Sequence, residues 1–316
     1  MLRKITWTLV GFLVLVMVVT VGCQRRQEQK PIPRATKLGN EPQISLFINE
    51  TGQKKVIGIE EYLTGVVAAE MDTGWPLEAL AAQAILARTF TMENIKQGRV
   101  KKLHGTDAST SVEEFQAYAP KKVNARVKKA VAMTRGEVVL YRDKYIHAWY
   151  SACDGGKSAT AREGLAFNKQ PTPYLKVVED GCMKVTTPEN QRWTARFTAE
   201  QVRQAVLKST GQNTGSINSV SITKKGPSGR AETIKVGNAE VSGPALRLAL
   251  GSDTVRSMKL DSLYHQGGTV YFQGKGFGHG VGMCQWGANK LAKSGKSPED
   301  IIRFYFKNID IKKQWK

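Results

Sequence analysis

Two kinds of hydrophobic pattern follow one another along this chain. Short runs rich in Val, Ile and Tyr, bounded by turn residues, are typical of strands. The first two, 44–48 and 54–59, flank a turn that ends at Gly52. Longer segments in which apolar residues recur every three or four positions predict helices. The mixture of the two patterns predicts an α+β fold.

The same reading continues to the end of the chain. We predict further strands at 137–141, 145–150, 175–178, 217–224, 232–236 and 270–273. We predict helices at 60–71, 76–96, 123–133, 198–208, 244–250, 283–294 and 298–306, and a basic loop at 98–110. The texture changes after Phe197, which indicates a second lobe or insert at about 190–260 that flanks a substrate cleft.

An uncharged, predominantly apolar stretch occupies residues 5–22. At about 1.5 Å per residue, it is long enough to cross most of the hydrocarbon core of a bilayer. Arg3 and Lys4 precede it, which predicts that the N-terminus stays inside and the rest of the chain outside. Residues 23–42 are polar and Pro-containing, typical of a tether. We therefore expect an exported protein whose body spans 43–308.

Two kinds of anchor fit this N-terminus. An uncleaved helix over 1–22 would make a single-pass membrane protein whose main domain is extracytoplasmic. Alternatively, Thr20-Val-Gly-Cys23 could be a lipoprotein signal, with cleavage before Cys23 and lipidation of its thiol. The mass of the mature protein separates the two.

The net charge of the chain limits the classes of binding partner to be expected. Lys and Arg number 47 against 27 Asp and Glu, a formal net charge of +20. Such a field favours polyanions, among them nucleic acids, anionic membranes and bacterial cell walls. No helix-turn-helix, zinc-finger or RNA-binding pattern is present, so we expect no nucleic acid partner.

The run 274–288 is the densest in glycine, with six glycines among fifteen residues. Glycine permits close approach of backbone or ligand, so the run predicts either a ligand-lined wall or a tight structural loop. It matches neither the dinucleotide-binding nor the P-loop motif. His279 and Gln285 are polar groups that such a wall could present to a ligand.

Glu70 falls on an apolar helical stripe. Steps of three, four and seven residues from Leu63 reach Val66, Val67 and Glu70. A carboxylate on a buried face has a raised pKa, which suits a general acid near neutral pH. The alternative is a carboxylate that turns to solvent at the end of the helix.

These motifs carry a family resemblance. The run Gly278-His-Gly-Val-Gly-Met-Cys-Gln-Trp-Gly-Ala288 resembles the C-terminal signature of the stage II sporulation protein D/amidase-enhancer family. The blocks 61–71 and 75–89 resemble its other long signature, and 107–118 and 242–247 resemble two further segments. The likeness extends over 43–308.

Members of that family are lytic transglycosylases, and the resemblance implies the same activity here. It makes Glu70 the catalytic acid and base that cleaves peptidoglycan glycan strands to 1,6-anhydro-muramyl ends. It also implies glycans without stem peptides, a cell-wall amidase partner, membrane proteins of the same complex, and a role in sporulation and engulfment. No cofactor is expected.

Four residues are candidates for substrate binding, and the resemblance favours this role for Arg88. A guanidinium in an apolar helix is costly unless it is paired, so Arg88 could orient Glu70, bind a sugar carboxylate or form a structural ion pair. His279 and Gln285 could donate hydrogen bonds to sugars from the Gly-rich wall. Tyr174 is expected to form another wall of the groove.

The cysteines allow one disulfide, between Cys153 and Cys182, or else free thiols. No Cys-x-x-Cys is present, which excludes a structural zinc site of the usual spacing. Some relatives carry Cys and His zinc ligands in the segment 107–118. Here Ser109, Glu114 and Phe115 stand in those places, so we expect no metal.

Two other functions stay open. Cys284 and His279 could form the nucleophile and base of a cell-wall peptidase, because a thiol near a helix start can have a lowered pKa. The chain could also be a non-catalytic enhancer that recruits an amidase to the wall.

Overall fold

The structure is a computed structural model that describes residues Leu38 to Lys316. The predicted anchor over 1–22 and the candidate lipidation site Cys23 lie outside the described residues. None of the helices from Leu38 onward combines the length and apolarity that a membrane span needs.

Helices and short strands alternate through the described residues. The helices are α1 (Ile59–Glu70), α2 (Leu77–Gln97), α3 (Arg99–His104), α4 (Ala125–Met133), α5 (Ala161–Leu165), α6 (Pro188–Gln191), α7 (Ala199–Thr210), α8 (Gly243–Leu250), α9 (Gln285–Lys293) and α10 (Pro298–Tyr305). The strands are β1 (Gln43–Phe47), β2 (Lys54–Gly58), β3 (Ala108–Ser109), β4 (Glu137–Tyr141), β5 (Lys144–Tyr145), β6 (Tyr150–Ser151), β7 (Trp193–Thr198), β8 (Val220–Lys225), β9 (Ala231–Val236), β10 (Ala239–Ser242), β11 (Leu260–Gln266), β12 (Thr269–Gly274), β13 (Met283–Cys284) and β14 (Asp310–Lys313). The α+β prediction is confirmed.

Helix α2 occupies the centre of the larger hydrophobic core. Every residue from Ala79 to Thr89 is buried, so this part of the helix has no face toward solvent. Most of these residues are small, which lets neighbouring backbones approach closely. Helices α1, α4, α9 and α10 and strand β4 all pack against it. The burial on all sides explains why α2 has no clear polar stripe.

The ends of α1 and α2 are fixed by local backbone geometry. Met71 adopts an extended conformation, so Glu70 is the last helical residue of α1. Pro76, with φ −52°, precedes the first turn of α2, where its missing N–H costs nothing. Gly98 ends α2 at φ +66°, a conformation that glycine adopts without strain.

Small sheets surround this helical core. Strand β1 pairs antiparallel with β2 and parallel with β3, and β4 lies between β14 and β5. The two-residue strands β13 and β6 pair in parallel, with Met283 opposite Tyr150 and Cys284 opposite Ser151. This last pairing brings the Gly-rich run against the segment that follows β5.

A second hydrophobic cluster is formed by residues between Trp193 and Phe272. It contains the three-stranded sheets β11-β12-β7 and β10-β9-β8, with α7 and α8 packed against them. The region that we expected to form a lobe or insert, about 190–260, contributes most of this cluster.

Several predicted boundaries are wrong. The segment 98–110 contains α3, because Gly98 and Gly105 in the left-handed region bracket one short helix. The strand expected at 145–150 survives only as the short strands β5 and β6, and 175–178 makes a single bridge from Leu175 to Phe306. The strands β7, β10, β11 and β14 were not predicted, because each contains at most one of the Val and Ile residues that mark the other strands.

A buried ion pair joins α1 to α2. Arg88 donates to Glu60 through Nε (3.0 Å to Oε1) and Nη2 (2.7 Å to Oε2), and through Nη1 to the Glu137 carbonyl (2.9 Å). Glu60 also accepts from Trp315 Nε1 (2.9 Å) and from the Gly136 amide (3.1 Å). The pair therefore ties together both helices, the start of β4 and the C-terminal segment.

Replacing Arg88 by Met should destabilise the fold by about 3–5 kcal/mol, because Glu60 is left as a buried, partly unpaired charge. Chemical denaturation of the purified protein would measure this loss. Lys312→Met is the matched control, since it breaks the exposed pair with Asp143 (2.7 Å) and should change stability very little. Equal stability of Arg88→Met and the unmodified protein would contradict the structural role.

Candidate active site

Glu70 ends α1 at the wall of a pocket. Its Oε1 accepts from the Ala117 amide (3.3 Å) and its Oε2 from Gln285 Nε2 (3.4 Å). The pocket has a volume of about 190 Å³. The side chains that line it with Glu70 are mainly aromatic or uncharged: Phe90, Phe115, Gln116, Trp149, Tyr150 and His279.

The environment of Glu70 favours its protonated form. Burial raises the pKa of the Glu70 carboxyl, and the hydrogen bonds from Gln285 and Ala117 offset this only in part. Both bonds are long and come from neutral donors, which stabilise a carboxylate less than a cation would. A glutamic acid that keeps its proton closer to neutral pH can deliver it to a substrate.

Neutral polar groups surround the carboxyl. The Tyr150 hydroxyl donates to Gln116 Oε1 (2.7 Å), and Gln116 Nε2 donates to Thr91 Oγ1 (2.9 Å). Burial and the nearby Glu70 charge raise the pKa of Tyr150 well above its usual value. Tyr150 therefore stays a phenol. The network holds it in place beside the acid.

His279 enters the pocket as a neutral imidazole. Its Nδ1 accepts the Val281 amide (3.0 Å), so the ring proton lies on Nε2. Burial, together with Arg247 and Arg230, lowers the pKa of His279 to about 3. A hydrogen bond to the Tyr150 backbone raises the pKa and offsets these effects only in part. The side chain therefore cannot serve as a cationic acid near neutral pH.

The Gly-rich run is both a tight loop and a wall of the pocket. A Cβ at Gly282 would lie 2.0 Å from the Trp149 carbonyl oxygen, and one at Gly280 would lie 2.0 Å from Arg230 Nη2. Both glycines have positive φ, at +75° and +76°. The close approach to Trp149 sets the run beside β6, and so brings His279 to the pocket.

Gln285 reaches Glu70 from the first turn of α9. It is 4% exposed, and its Nε2 lies 3.4 Å from both Glu70 Oε2 and Gln83 Oε1. The expectation was that Gln285 donates to a sugar. The structure places it against the acid instead, where its hydrogen bond lowers the pKa of Glu70.

Two of the predicted substrate-binding residues lie away from the pocket. Arg88 is 0% exposed and its guanidinium is committed to Glu60, so the expectation that it binds substrate or orients Glu70 is corrected in favour of the structural ion pair. Tyr174 is buried, its hydroxyl accepts the His147 amide (3.0 Å), and its ring packs on Tyr141. It does not line the pocket that contains Glu70.

The geometry does not support a thiol peptidase. Cys284 is 1% exposed, and its Sγ accepts amide hydrogens from Asp154 (3.4 Å) and Gly287 (3.3 Å). Burial raises the pKa of this thiol well above its usual value. A buried thiol with a raised pKa is a poor nucleophile.

Sequence reasoning missed several residues of the site. Tyr150, Gln83 and Gln116 form its polar network, and Trp149 and Phe115 line it. The segment 107–118 resembled the family, which was a signal for Phe115 and Gln116. The aromatic pair at 149–150 was interpreted only as the end of a strand.

A larger pocket adjoins the first. Its volume is about 510 Å³, and it shares Phe90, Phe115 and Trp149 with the pocket that contains Glu70. The Trp149 ring meets the Phe167 ring edge to face, with centroids 5.1 Å apart. Together the two pockets form a groove, lined further by Glu93, Asn94, Gln97, Arg99, Glu113, Glu114, His147, Lys169 and Gln170.

Comparison with known proteins identifies the family to which the chain belongs. The family model described as stage II sporulation protein matches residues 48–141. Stage II sporulation protein D of Bacillus amyloliquefaciens is 31% identical over 286 residues, which cover 86% of this chain and 79% of that protein. The chain belongs to the stage II sporulation protein D/amidase-enhancer family. The matched segment 48–141 contains α1, α2 and Glu70.

Other relatives extend this result. An uncharacterized protein of Brachyspira hyodysenteriae is 34% identical over 259 residues, which cover 81% of this chain and 67% of that protein. The amidase enhancer of Bacillus subtilis is 27% identical over 294 residues, which cover 77% of this chain and 39% of that protein. A model for a domain of unknown function matches residues 183–282, a range that includes the second hydrophobic cluster and His279.

Replacing Glu70 by Gln should stabilise the protein at neutral pH. Because the folded-state pKa of Glu70 is raised, the unmodified protein loses stability as pH rises through that pKa, whereas the amide does not titrate. Below about pH 4 the two should be equally stable, since Glu70 is then protonated in both folded and unfolded states. Melting temperatures at several pH values test this.

Glu61→Gln is the control for that comparison, because Glu61 lies on the same helix and is exposed. Its melting temperature should follow that of the unmodified protein at each pH. A difference between Glu70→Gln and the unmodified protein that does not change with pH would argue against a raised pKa.

Proposed function

We propose that this protein is an exported, membrane-anchored lytic transglycosylase of peptidoglycan, with Glu70 as its acid and base. One observation carries the proposal. Among the described residues, Glu70 is the only carboxylate that lines the smaller pocket, and its pKa is raised, whereas Glu93, Glu113 and Glu114 line the larger pocket beside it. Hydrolases that cleave glycosidic bonds ordinarily use two carboxyl groups across the sugar, whereas a transglycosylase can work with one.

The reaction uses the same carboxyl twice. Protonated Glu70 gives its proton to the glycosidic oxygen, and the bond from that oxygen to the muramyl C1 breaks. The resulting carboxylate then takes the proton of the 6-hydroxyl group of the same muramyl residue. As it loses this proton, the 6-oxygen attacks C1. The products are a free 4-hydroxyl on the leaving sugar and a 1,6-anhydro-muramyl end. No water is consumed, and Glu70 ends protonated.

The neutral groups around Glu70 have distinct parts in this scheme. His279 lines the pocket, and its ring N–H, which lies near the Tyr150 backbone, would bind a sugar hydroxyl or N-acetyl oxygen in exchange for that contact. Tyr150 presents a phenol beside the acid. Gln285 donates to the carboxylate that forms when the proton leaves. None of the three carries a charge that would compete with Glu70 for the role of acid.

The adjoining pocket suits the rest of a glycan strand. Trp149 and Phe167 offer aromatic surfaces on which sugar rings can stack, while Asn94, Gln97 and Gln170 offer hydrogen-bonding groups. Strands without stem peptides are the proposed substrate, because an amidase that removes the peptides would supply them.

Partners and location follow from the same proposal. A relative is named amidase enhancer, and two are named for stage II of sporulation. We place this chain with a cell-wall amidase and other membrane proteins during sporulation and engulfment. The N-terminal stretch over 1–22, or lipidated Cys23, would hold it at the outer face of the cell membrane.

The name of that amidase enhancer also favours a second candidate function. A protein could stimulate an amidase by binding the wall and presenting the enzyme, with no cleavage of its own. The basic surface of this chain, with its net charge of +20, would bind an anionic wall in either case. A variant that loses only the acid distinguishes the two functions.

Glu70→Gln should abolish cleavage of purified, peptide-free glycan strands, because the amide keeps the shape and has no transferable proton. Mass spectrometry of the products identifies the reaction, since an anhydro end is one water lighter than a reducing end. Glu61→Gln should cleave normally. If Glu70→Gln still stimulates an amidase fully and the unmodified protein releases no anhydro ends, the enhancer function replaces the transglycosylase.

Gln285→Ala and His279→Ala should affect the pH profile differently. Cleavage needs protonated Glu70, so it should fall as pH rises through the pKa of that group. Removing Gln285 removes a bond that lowers this pKa, so the alkaline limb should move to higher pH. His279 is neutral, so His279→Ala should leave the limb in place and weaken cleavage about fivefold, or by on the order of 1 kcal/mol.

Kinetics across the pH range give both results. A fall in kcat would mean that His279 binds the transition state more tightly than the substrate, and a rise in KM would mean uniform binding. If His279→Ala removed activity and its pH dependence together, histidine would be the proton carrier and Glu70 would not.

A further inference from the structure

Three cysteines from distant parts of the chain meet in the core. Cys153 follows β6, Cys182 begins a short 3-10 turn at Cys182–Lys184, and Cys284 ends β13. All three are buried, and their Sγ atoms lie within 4.8 Å of one another. Cys153 Sγ and Cys182 Sγ are 3.5 Å apart and are not bonded. We call these residues the three-cysteine cluster.

Two buried carboxylates adjoin the cluster. Asp180 is satisfied, because its Oδ2 accepts from the Tyr305 hydroxyl (2.7 Å) and its Oδ1 from the Cys182 amide (2.8 Å). Asp154 is different. It is 0% exposed, and its Oδ1 accepts from the Gly156 amide (2.8 Å) and the Cys182 thiol (3.1 Å). No partner for its Oδ2 exists among the described residues.

A buried carboxylate oxygen without a partner is costly. The Asp154 carboxylate belongs to a group of donor atoms that also contains Asp180 and the Cys182 and Cys284 sulfurs. Such an atom is explained if a cation occupies the space between these groups. Three thiolates with one oxygen make a soft donor set, which favours zinc over magnesium or calcium.

We propose that the three-cysteine cluster is a structural zinc site, with the Asp154 carboxylate, which is grouped with Cys182 and Cys284, as its oxygen donor. Zn²⁺ binds thiolate sulfur at about 2.3 Å in tetrahedral sites, so two ligating sulfurs lie about 3.8 Å apart. The separation of 3.5 Å between Cys153 and Cys182 is close to that edge and far from the 2.05 Å of a disulfide. A disulfide would also leave Cys284 unused.

Binding exchanges protons for the metal. Three thiols lose their protons to solvent as three sulfur–zinc bonds form, and no electron is transferred. The fully buried Arg230 lies beside the cluster and donates to the Asp154 carbonyl, so its positive charge offsets part of the negative charge of the ligands. The site is closed to solvent, which is typical of structural rather than catalytic zinc.

This site would support the pocket without touching a substrate. Cys284 precedes Gln285, and its Sγ accepts the Gly287 amide at the start of α9. Cys153 follows Tyr150 by one short turn, and β13 pairs with β6. The metal would therefore fix the relative position of Gln285 and Tyr150. The proposal is independent of the reaction assigned to Glu70.

Local sequence motifs do not reveal the ligands of the proposed zinc site. The expectation of no zinc site rested on the absence of Cys-x-x-Cys and on the residues at 107–118. In that segment Glu114 instead contacts His104, with 2.9 Å between Glu114 Oε2 and His104 Nε2. The cluster is assembled from single cysteines in three segments, so no local spacing could reveal it.

Metal content tests the proposal directly. The full-length protein, purified in detergent and reductant, is equilibrated with zinc, dialysed against metal-free buffer and analysed for metals. About one zinc per chain is expected. Cys182→Ser and Cys284→Ser should each lose it, and Asp154→Asn should bind it more weakly. Cys23→Ser, which changes the one cysteine outside the proposed set, should retain it fully.

Two further measurements use the unmodified protein, so that they do not depend on variants that fold. Cobalt in place of zinc should produce a thiolate charge-transfer band and the visible spectrum of tetrahedral cobalt. Alkylation of the native protein should spare all three thiols until a chelator is added. Substoichiometric metal, zinc retained equally by all variants, or a Cys153–Cys182 disulfide in denatured, unreduced protein would each overturn the proposal.

Discussion

The rest of the structure depends on the burial of α2 on all sides between Ala79 and Thr89. Small side chains in this stretch let both α1 and α9 approach the same helix. As a result Glu70 and Gln285, which are 215 positions apart in sequence, come within hydrogen-bonding distance. A bulkier or more polar α2 would separate the helices that carry the acid and its neighbour, even if each helix still formed.

Burial has opposite consequences for the two carboxylates of α1. Glu60 receives a guanidinium, an indole N–H and a backbone amide, so its charge is compensated and the helix is anchored. Glu70 receives only two long bonds from neutral donors, so its charge is disfavoured and its pKa is raised. One helix therefore carries a structural anion near its start and a candidate acid at its end. The difference lies in their partners.

Local hydrophobic patterns in the sequence predicted the helices that local interactions determine. Periodicity located α1, α2, α7 and α10, and the apolar stripe through Leu63 placed Glu70 on a buried face. The rule that a buried guanidinium needs a partner held for Arg88, but nothing local showed that the partner is Glu60. The two-residue strands β6 and β13 exist only because they pair with each other. The network of Gln83, Gln116 and Tyr150 likewise depends on tertiary packing, which no single segment encodes.

The contact between Trp315 and Glu60 determines when the hydrogen bonds around the ion pair of Glu60 can be completed during folding. Its indole closes the polar shell of a residue that precedes it by 255 positions. Contacts of such long range form late, because the entropy of closing the loop must be overcome before they contribute. During synthesis, the Glu60 carboxylate therefore lacks the hydrogen bond from Trp315 until almost the whole described chain has emerged. Until then the core is incompletely packed, and chaperones and proteases can bind it.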